Sequence, residues 1–350
     1  MKPIPSYRAA HMAQHLKLLR KIGVPVEREL QRFKLPTLPE ETPDAYLPLL
    51  PSIAFGNSVS RKEGIDEFSI RSLCHLRLED LSKELLTLVR NVPTLKLALE
   101  LFARLAPLED PYIRVVIEEQ DDMIRVHAYE DLDLDEMAKR YPDWNILMCL
   151  IAVIREFTGQ HWKPASMGFR SRIPIGNFSR DVCPNTHFHL GEETAWLTLP
   201  RSYLALPHCS SRLARNRARN YSQGQENLKI EIVTGFTDSL KQILPAYMNT
   251  GYPSIRLAAE LAGTSVRTLQ RRLGQSGLTY SDLVQQARFE NAAEILASTD
   301  QQIIQISTQL GYEDAAHFSR AFKRMAGVTP SKYRAMHQQA SQGGVLEEVA

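Results

Sequence analysis

The stretch SIRLAAELAGTSVRTLQRRL, Ser254 to Leu273, and its echo ISTQLGYEDAAHFSRAFKRMAGVTPSKYR, Ile306 to Arg334, decide the fold of the C-terminal part of this chain. Ser254 can cap a helix, its hydroxyl accepting from an orphan N–H of the first turn. Ile255, Ala258, Ala259 and Leu261 give that helix an apolar side. Gly263 ends it, and Ser265 caps the next. Val266, Leu269 and Leu273 then share one face at i, i+3 and i+7, while Arg267, Gln270 and Arg271 share another. A small residue (Ala259), a glycine four later and an apolar residue six after that is the spacing of a helix-turn-helix, in which two helices approach closely through a tight turn.

The echo repeats the plan. Ile303, Ile306 and Leu310 form an apolar stripe, Gly311 breaks the helix, and Asp314 can cap its successor. Ala315, Phe318, Phe322 and Met325 are expected to point inward, and His317, Arg320 and Arg324 outward. Gly327 and Pro330 close the unit. Leu269 and Leu273 superpose on Phe318 and Phe322 with an offset of 49 residues, an internal duplication. It is imperfect: Ser307 stands where Ala259 stands, and the second turn is one residue longer. Between the units, Thr279 caps a helix running to Ser298 whose apolar side holds Leu283, Val284, Ala287, Ile295 and Leu296. Such a helix is ~30 Å long, and one turn of DNA is ~34 Å. The chain can therefore offer two recognition helices to successive major grooves.

The strings SVRTLQRRL (Ser265–Leu273) and GYEDAAHFSRAFKRMAGVTPSKYR (Gly311–Arg334) resemble the AraC/XylS family of bacterial transcription regulators. By position, the resemblance implies that Arg267, Gln270, Arg271, His317 and Arg320 read bases. The chemistry agrees, since Arg pairs bidentately with guanine and Gln with adenine, each good pair discriminating by ~1–3 kcal/mol. Thr264, Ser265, Arg272, Lys323, Arg324, Lys332 and Arg334 are placed for phosphates, which position without specifying. The bland alternative, a solvated helical face, would suffice for an isolated RTLQRR but not for the two units together.

Charge is unevenly spread. Residues 1–200 hold 25 Lys and Arg against 28 Asp and Glu, and residues 201–336 hold 17 against 10. A net +7 half beside a net −3 half fits nucleic-acid binding confined to the C-terminal side. No secretory signal is visible, because Lys2 is followed by prolines and polar residues. The longest apolar run, Ile146 to Ile154, is far short of the ~20 residues that span a bilayer, so it is expected to be a buried helix. Four cysteines without CxxC spacing fit a reducing cytoplasm.

The first 207 residues read as one α+β ligand-sensing or dimerisation domain. Helices are expected over Tyr7–Gly23, Ser52–Ser60, two pieces of Leu81–Leu105 split near Pro93, and Asp135–Phe157. The five prolines of Pro36–Pro51 suggest a surface connection. A hairpin is expected from Tyr112–Glu118 and Met123–Tyr129, and further strands from Ser166–Ile173 and His187–Leu199, with turns at Gly176-Asn177 and Gly191-Glu192. Residues 208–234 read as a linker, with Arg212, Arg215, Arg217 and Arg219 as an alternative phosphate-contacting arm. Residues 235–336 read as the all-α double helix-turn-helix domain, opened by a helix over Thr237–Tyr247, and 337–350 as a polar tail.

No catalytic constellation stands out. His187 and His189 share one face of a strand and lie near Cys183, but the other ligands of a closed metal site are not at motif spacing. Asp131, Asp133 and Asp135 lack the glycine and closing Glu of a calcium loop. Neither a metal nor a cofactor is expected. Residues 15 to 207, with GNSVSRKEG and DPYIRVVIEEQDD, resemble the arabinose-binding-type N-terminal domain of the branch that includes ornithine-utilisation and virulence regulators. The resemblance implies a small-molecule effector of unspecified identity. A carboxylate effector would pair with Arg170, Arg172 or Arg180. The whole reads as a cytoplasmic, ligand-responsive transcription regulator, an activator. Promoter DNA, RNA polymerase and a second copy of itself are its expected partners, and it does not engage the membrane. The rivals are an α+β enzyme tethered to DNA, and a constitutive regulator whose N-terminal domain only dimerises.

Overall fold

A computed structural model describes residues 3–130, 132–209 and 235–337. The expected linker from residue 210, with its four arginines, the tail from residue 338, and Asp131 lie outside the described residues. The described residues divide into two compact units, one within residues 5–209 and the other residues 235–337, and residues 3–4 group with the second. The sequence reading put those first residues with the N-terminal domain.

The N-terminal unit begins with β1 (Ser6–Arg8), α1 (Ala10–Lys21) and α2 (Val26–Arg32). Then come β2 (Tyr46–Pro48), α3 (Leu49–Lys62), α4 (Phe68–Leu73), α5 (Lys83–Asn91) and α6 (Leu95–Glu109). Tyr7 and Arg8 are therefore strand, not helix. β1 pairs antiparallel with β2 from inside the proline-rich connection, a partner about forty residues away that local periodicity does not reveal. The helix pair split at Pro93 forms as expected, the first capped by Ser82, whose hydroxyl accepts from the Leu85 N–H.

β3 (Ile113–Gln120) and β4 (Met123–Glu130) make the hairpin. α7 (Glu136–Thr158) follows, capped by Asp135, then β5 (Ser166–Phe169), α8 (Asn177–Val182), β6 (His187–Leu190) and β7 (Ala195–Pro200). The Gly176-Asn177 turn thus opens a short helix. The sheet runs β3-β4-β7-β5-β6, antiparallel except for β5 and β6. The Gly191-Glu192 turn makes no hairpin, because β5 lies between β6 and β7. The helices α6 and α7 pack against this sheet, and the apolar run Ile146–Ile154 of α7 is buried throughout. On β4 every second residue faces the core: Ile124, Val126, Ala128 and then Glu130. Among the described residues no helix is long and apolar enough to cross a membrane.

The C-terminal unit contains α9 (Phe236–Ile243), α10 (Ile255–Leu261), α11 (Val266–Gln275), α12 (Tyr280–Ser298), α13 (Ile303–Gln309) and α14 (Ala315–Ala326). After α9 the chain tightens into a 3-10 turn, Leu244–Thr250, where the sequence suggested a continuous helix. Pro245 in this segment cannot donate the N–H that an α-helix would need. Ile4 is buried in this unit, its N–H donating to Ser239 Oγ at 2.8 Å.

Candidate nucleic-acid interface

Each helix-turn-helix is set by capping and by a small buried residue. Ser254 accepts from the Leu257 N–H and Ser265 from the Thr268 N–H, both at 3.2 Å. Thr279 and Asp282 form a reciprocal capping box, each side chain accepting from the other's N–H. Asp314 accepts from the His317 N–H at 2.5 Å. Ala259 and Ser307, the two small residues of the duplication, are both buried. The serine hydroxyl is satisfied by the Ile304 carbonyl, at 2.8 Å, so the polar substitution carries no buried unpaired group.

On α11, Leu269 and Leu273 are fully buried and Arg267, Gln270 and Arg271 are exposed. On α14, Phe318 and Phe322 are buried against Phe289, Tyr312 and Tyr333, while His317 and Arg320 are exposed. The unit thus presents the five expected base readers on helix faces opposite the core. Met325 is a correction. It is 40% exposed rather than inward, since a residue three past Phe322 has rotated away from a stripe already filled by two phenyl rings.

The residues expected at phosphates divide. Lys323, Arg324 and Lys332 are exposed, Arg324 with its Nη2 donating to Gln285 Oε1 of α12 at 3.1 Å, and Ser265 sits exposed at the start of α11 with the half-buried Thr264 before it. Arg272 turns back: its guanidinium carbon lies 5.5 Å from the centre of the Phe236 ring. Arg334 donates to the Gln301 carbonyl at 2.6 Å. These two are engaged within the unit, tying α9 and the α12–α13 connection to it.

Sequence reasoning missed Arg288. It sits on α12 among buried apolar residues and is itself buried. Its Nη2 donates to the Gly311 carbonyl at 2.8 Å, and its guanidinium carbon lies 5.0 Å from the Tyr252 ring centre and 4.5 Å from that of Tyr312. One cation thereby joins the approach to the first unit, the connecting helix and the turn of the second. Gly311 is needed there. Its φ is +68°, and a Cβ would meet the Met248 carbonyl oxygen at 2.7 Å. At Gly263, with a φ of +56°, nothing lies within 4 Å of such a Cβ, so only conformation asks for glycine. The signal for Arg288 was its position. It lies four residues after Val284 and four before Ala292, on the ridge where the pattern asks for an apolar side chain.

In the N-terminal unit, Arg170 is held in place. Its Nε donates to Asp143 Oδ1 at 2.6 Å, its backbone N–H to Oδ2 at 2.9 Å, and its Nη2 lies 3.4 Å from Glu130 Oε2. An effector carboxylate there would have to displace a fully buried aspartate. The Arg172 N–H donates to Glu136, and Arg180 lies 5.9 Å from the Phe188 ring centre. His187 and His189 lie exposed on β6 and Cys183 is buried. Among the described residues no cluster of three or more His, Cys, Asp or Glu side chains fits a metal ion.

The other missed group is the acid pair Asp110 and Glu130. Burial, and then the Asp110 charge, push the Glu130 carboxyl up to about 8. Burial, opposed by the Tyr112 N–H, raises Asp110 to about 6. A carboxyl whose folded pKa exceeds its unfolded value takes up a proton on folding. Its stabilising contribution is full below about 4.5 and is lost as pH rises through the folded value. Thermal stability of the wild type is therefore expected to fall from pH 5 towards pH 8 relative to Glu130→Gln. Parallel melting curves for the two proteins across that range would refute the buried-acid account.

A family description, helix-turn-helix domain, matches residues 258–336. The ornithine utilization regulator of Pseudomonas aeruginosa is 28% identical over 139 residues, covering 40% of this chain and 41% of the relative. The HTH-type transcriptional regulator VirS of Mycobacterium tuberculosis is 25% identical over 343 residues, 94% of this chain and 96% of the relative. Among solved structures, the transcriptional regulator CdpR from Pseudomonas aeruginosa aligns over 88% of this chain and 97% of its own, at 19% identity and a TM-score of 0.37.

Proposed function

We propose that the chain is a transcriptional regulator of the AraC type that reads promoter DNA with both helix-turn-helix units at once. Arg267, Gln270 and Arg271 read one segment of the duplex, and His317 and Arg320 the next. Lys323, Arg324 and Lys332 hold the phosphates, with Thr264 and Ser265 donating at the start of α11. The domain that does this spans residues 235–336. The observation that carries the reading is the two-fold pattern itself. Two short helices each bury a pair of large apolar side chains and expose polar ones, and a 19-residue helix, α12, joins them.

The N-terminal unit, on this reading, binds a small-molecule effector, dimerises the chain, or does both, and shifts the DNA-bound population through a difference in ligand affinity between two states. The regulator works in the cytoplasm, recruits RNA polymerase and performs no catalysis of its own. The relatives' names support a role in regulation.

Arg271→Ala and Arg320→Ala test the assignment. Each is expected to cost ~1–3 kcal/mol on the preferred site and to relax base preference in a different half of it, as read by binding to a panel of single-base variants. Equal weakening on preferred and random DNA would mean that these arginines touch phosphates only.

A further inference from the structure

A cavity of about 50 Å³ lies between α3, α4 and α7 of the N-terminal unit. One water-sized group needs ~10–15 Å³ on this scale, so there is room for about four. On α7, Met137, Arg140, Tyr141 and Trp144 recur at i, i+3, i+4 and i+7, the spacing of one helix face, and all four line it. Asn57 of α3 and Ser69 of α4 stand in the opposite wall.

Two donors in this lining lack an acceptor. Trp144 is 1% exposed, and its indole Nε1 is buried with no hydrogen-bond partner among the described residues. Arg140 Nη2 is likewise buried and unpartnered. Burying such groups is costly unless a ligand or a water meets them. They share one place because side chains four residues apart on a helix stand ~5–6 Å from one another at Cβ. The other charged residue of the lining, Glu67, is occupied. Its carboxylate accepts from the Gly176 N–H at 3.0 Å, the Ser179 N–H at 3.3 Å and the Ser179 hydroxyl. Burial lowers the pKa of Arg140 and the Glu67 charge opposes that, but no oxygen of Glu67 bonds Nη2. Guanidinium and indole are donors only. The pair therefore suits an acceptor that carries negative charge and offers nothing to an ammonium.

We propose that this cavity is the effector site and that it takes the carboxylate of a small aliphatic acid, one oxygen on Arg140 Nη2 and the other on Trp144 Nε1. The inference rests on the reading of the N-terminal unit as an effector domain. The short carbon body lies against Phe68, Tyr141 and Met137, whose 45% exposure puts it at the solvent end. The sequence directed a carboxylate to Arg170, Arg172 or Arg180. Arg170 is bound to Asp143, whereas Arg140 keeps a buried N–H for the ligand.

The test uses the full chain labelled with 15N-tryptophan at pH 7.5, titrated with sodium propionate, propionamide and n-propylammonium chloride. The chain has three tryptophans, and Trp144→Phe identifies the Trp144 indole signal by its loss. Propionate is expected to move that signal saturably and to leave those of Trp162 and Trp196 in place. Calorimetry should show propionate binding about tenfold or more tighter than propionamide, because hydrogen bonds between charged partners are the strong ones, and no binding of propylammonium. Arg140→Gln and Trp144→Phe should each weaken propionate about tenfold, the loss of one hydrogen bond to a charged group. Trp144→Phe keeps the ring and reports on the site even if Arg140→Gln does not fold. A Trp144 signal that ignores propionate, as when water alone fills the cavity, overturns the proposal. So does equal or tighter binding of propionamide or propylammonium, or undiminished affinity in the variants. Saturating propionate should also change the affinity for selected DNA by about fivefold or more, and an unchanged affinity refutes the effector role. A protein that selects DNA but ignores propionate refutes the ligand class alone. One that binds propionate at Trp144 but selects no DNA upholds the cavity assignment and refutes the regulator reading.

Discussion

Raising the salt concentration from about 50 to about 200 mM is expected to weaken binding to the preferred DNA site by roughly 40-fold. Three exposed cations are assigned to phosphates: Lys323, Arg324 and Lys332. Each cation that neutralises a phosphate displaces about 0.9 of a counterion, so log affinity falls linearly in log salt with a slope near −3. The structure refines which residues set that slope. Lys323→Ala should reduce it by about 1. Arg272→Ala should leave it nearly unchanged, because this guanidinium lies on Phe236. Affinity measured by fluorescence anisotropy at four or five salt concentrations decides it. A flat line removes the phosphate contacts, and an equal drop in slope for Arg272→Ala returns that residue to the interface.

Arg288→Met is expected to lower the stability of the C-terminal unit by about 2–3 kcal/mol. A hydrogen bond from a charged donor is worth ~1.5–3 kcal/mol, and each partly desolvated ring contact ~0.5–2. These gains are offset by the burial cost of the cation and by the apolar packing that methionine recovers. For a unit of this size each kcal/mol moves the melting midpoint by ~4–8 °C, so calorimetry should show a loss of roughly 10 °C or more. Arg288→Lys should not rescue it, since a single ammonium cannot hold the Gly311 carbonyl and stack between two rings. The same variants should bind DNA less selectively, because the second unit is no longer tied to α12. An unchanged midpoint for Arg288→Met would mean that the connecting helix holds the units without this clamp.

The parts of the molecule that sequence made legible are those whose partners are local. Ser254, Ser265, Thr279 and Asp314 cap helices because the groups they satisfy lie three residues away. Leu269 with Leu273, and Phe318 with Phe322, share a face because a helix repeats every 3.6 residues. The β3–β4 hairpin was readable for the same reason. What escaped was set by distant partners. β1 meets β2 across the proline-rich segment, and β5 separates β6 from β7. Arg170, which looked available for an effector, is spent on Asp143. Glu130 and Arg288 were each visible as a charge on a stripe that should be apolar, at period two on β4 and at i+4 on α12. That anomaly marks a buried polar junction, but it does not name the groups across it.

The most direct measurement is selection from a random double-stranded DNA pool by the full chain. The account predicts enrichment of a motif with two conserved segments about 10 base pairs apart, with the first blurred by Arg271→Ala and the second by Arg320→Ala. Recovery of DNA with no shared sequence would contradict the base-reading assignment of both helices.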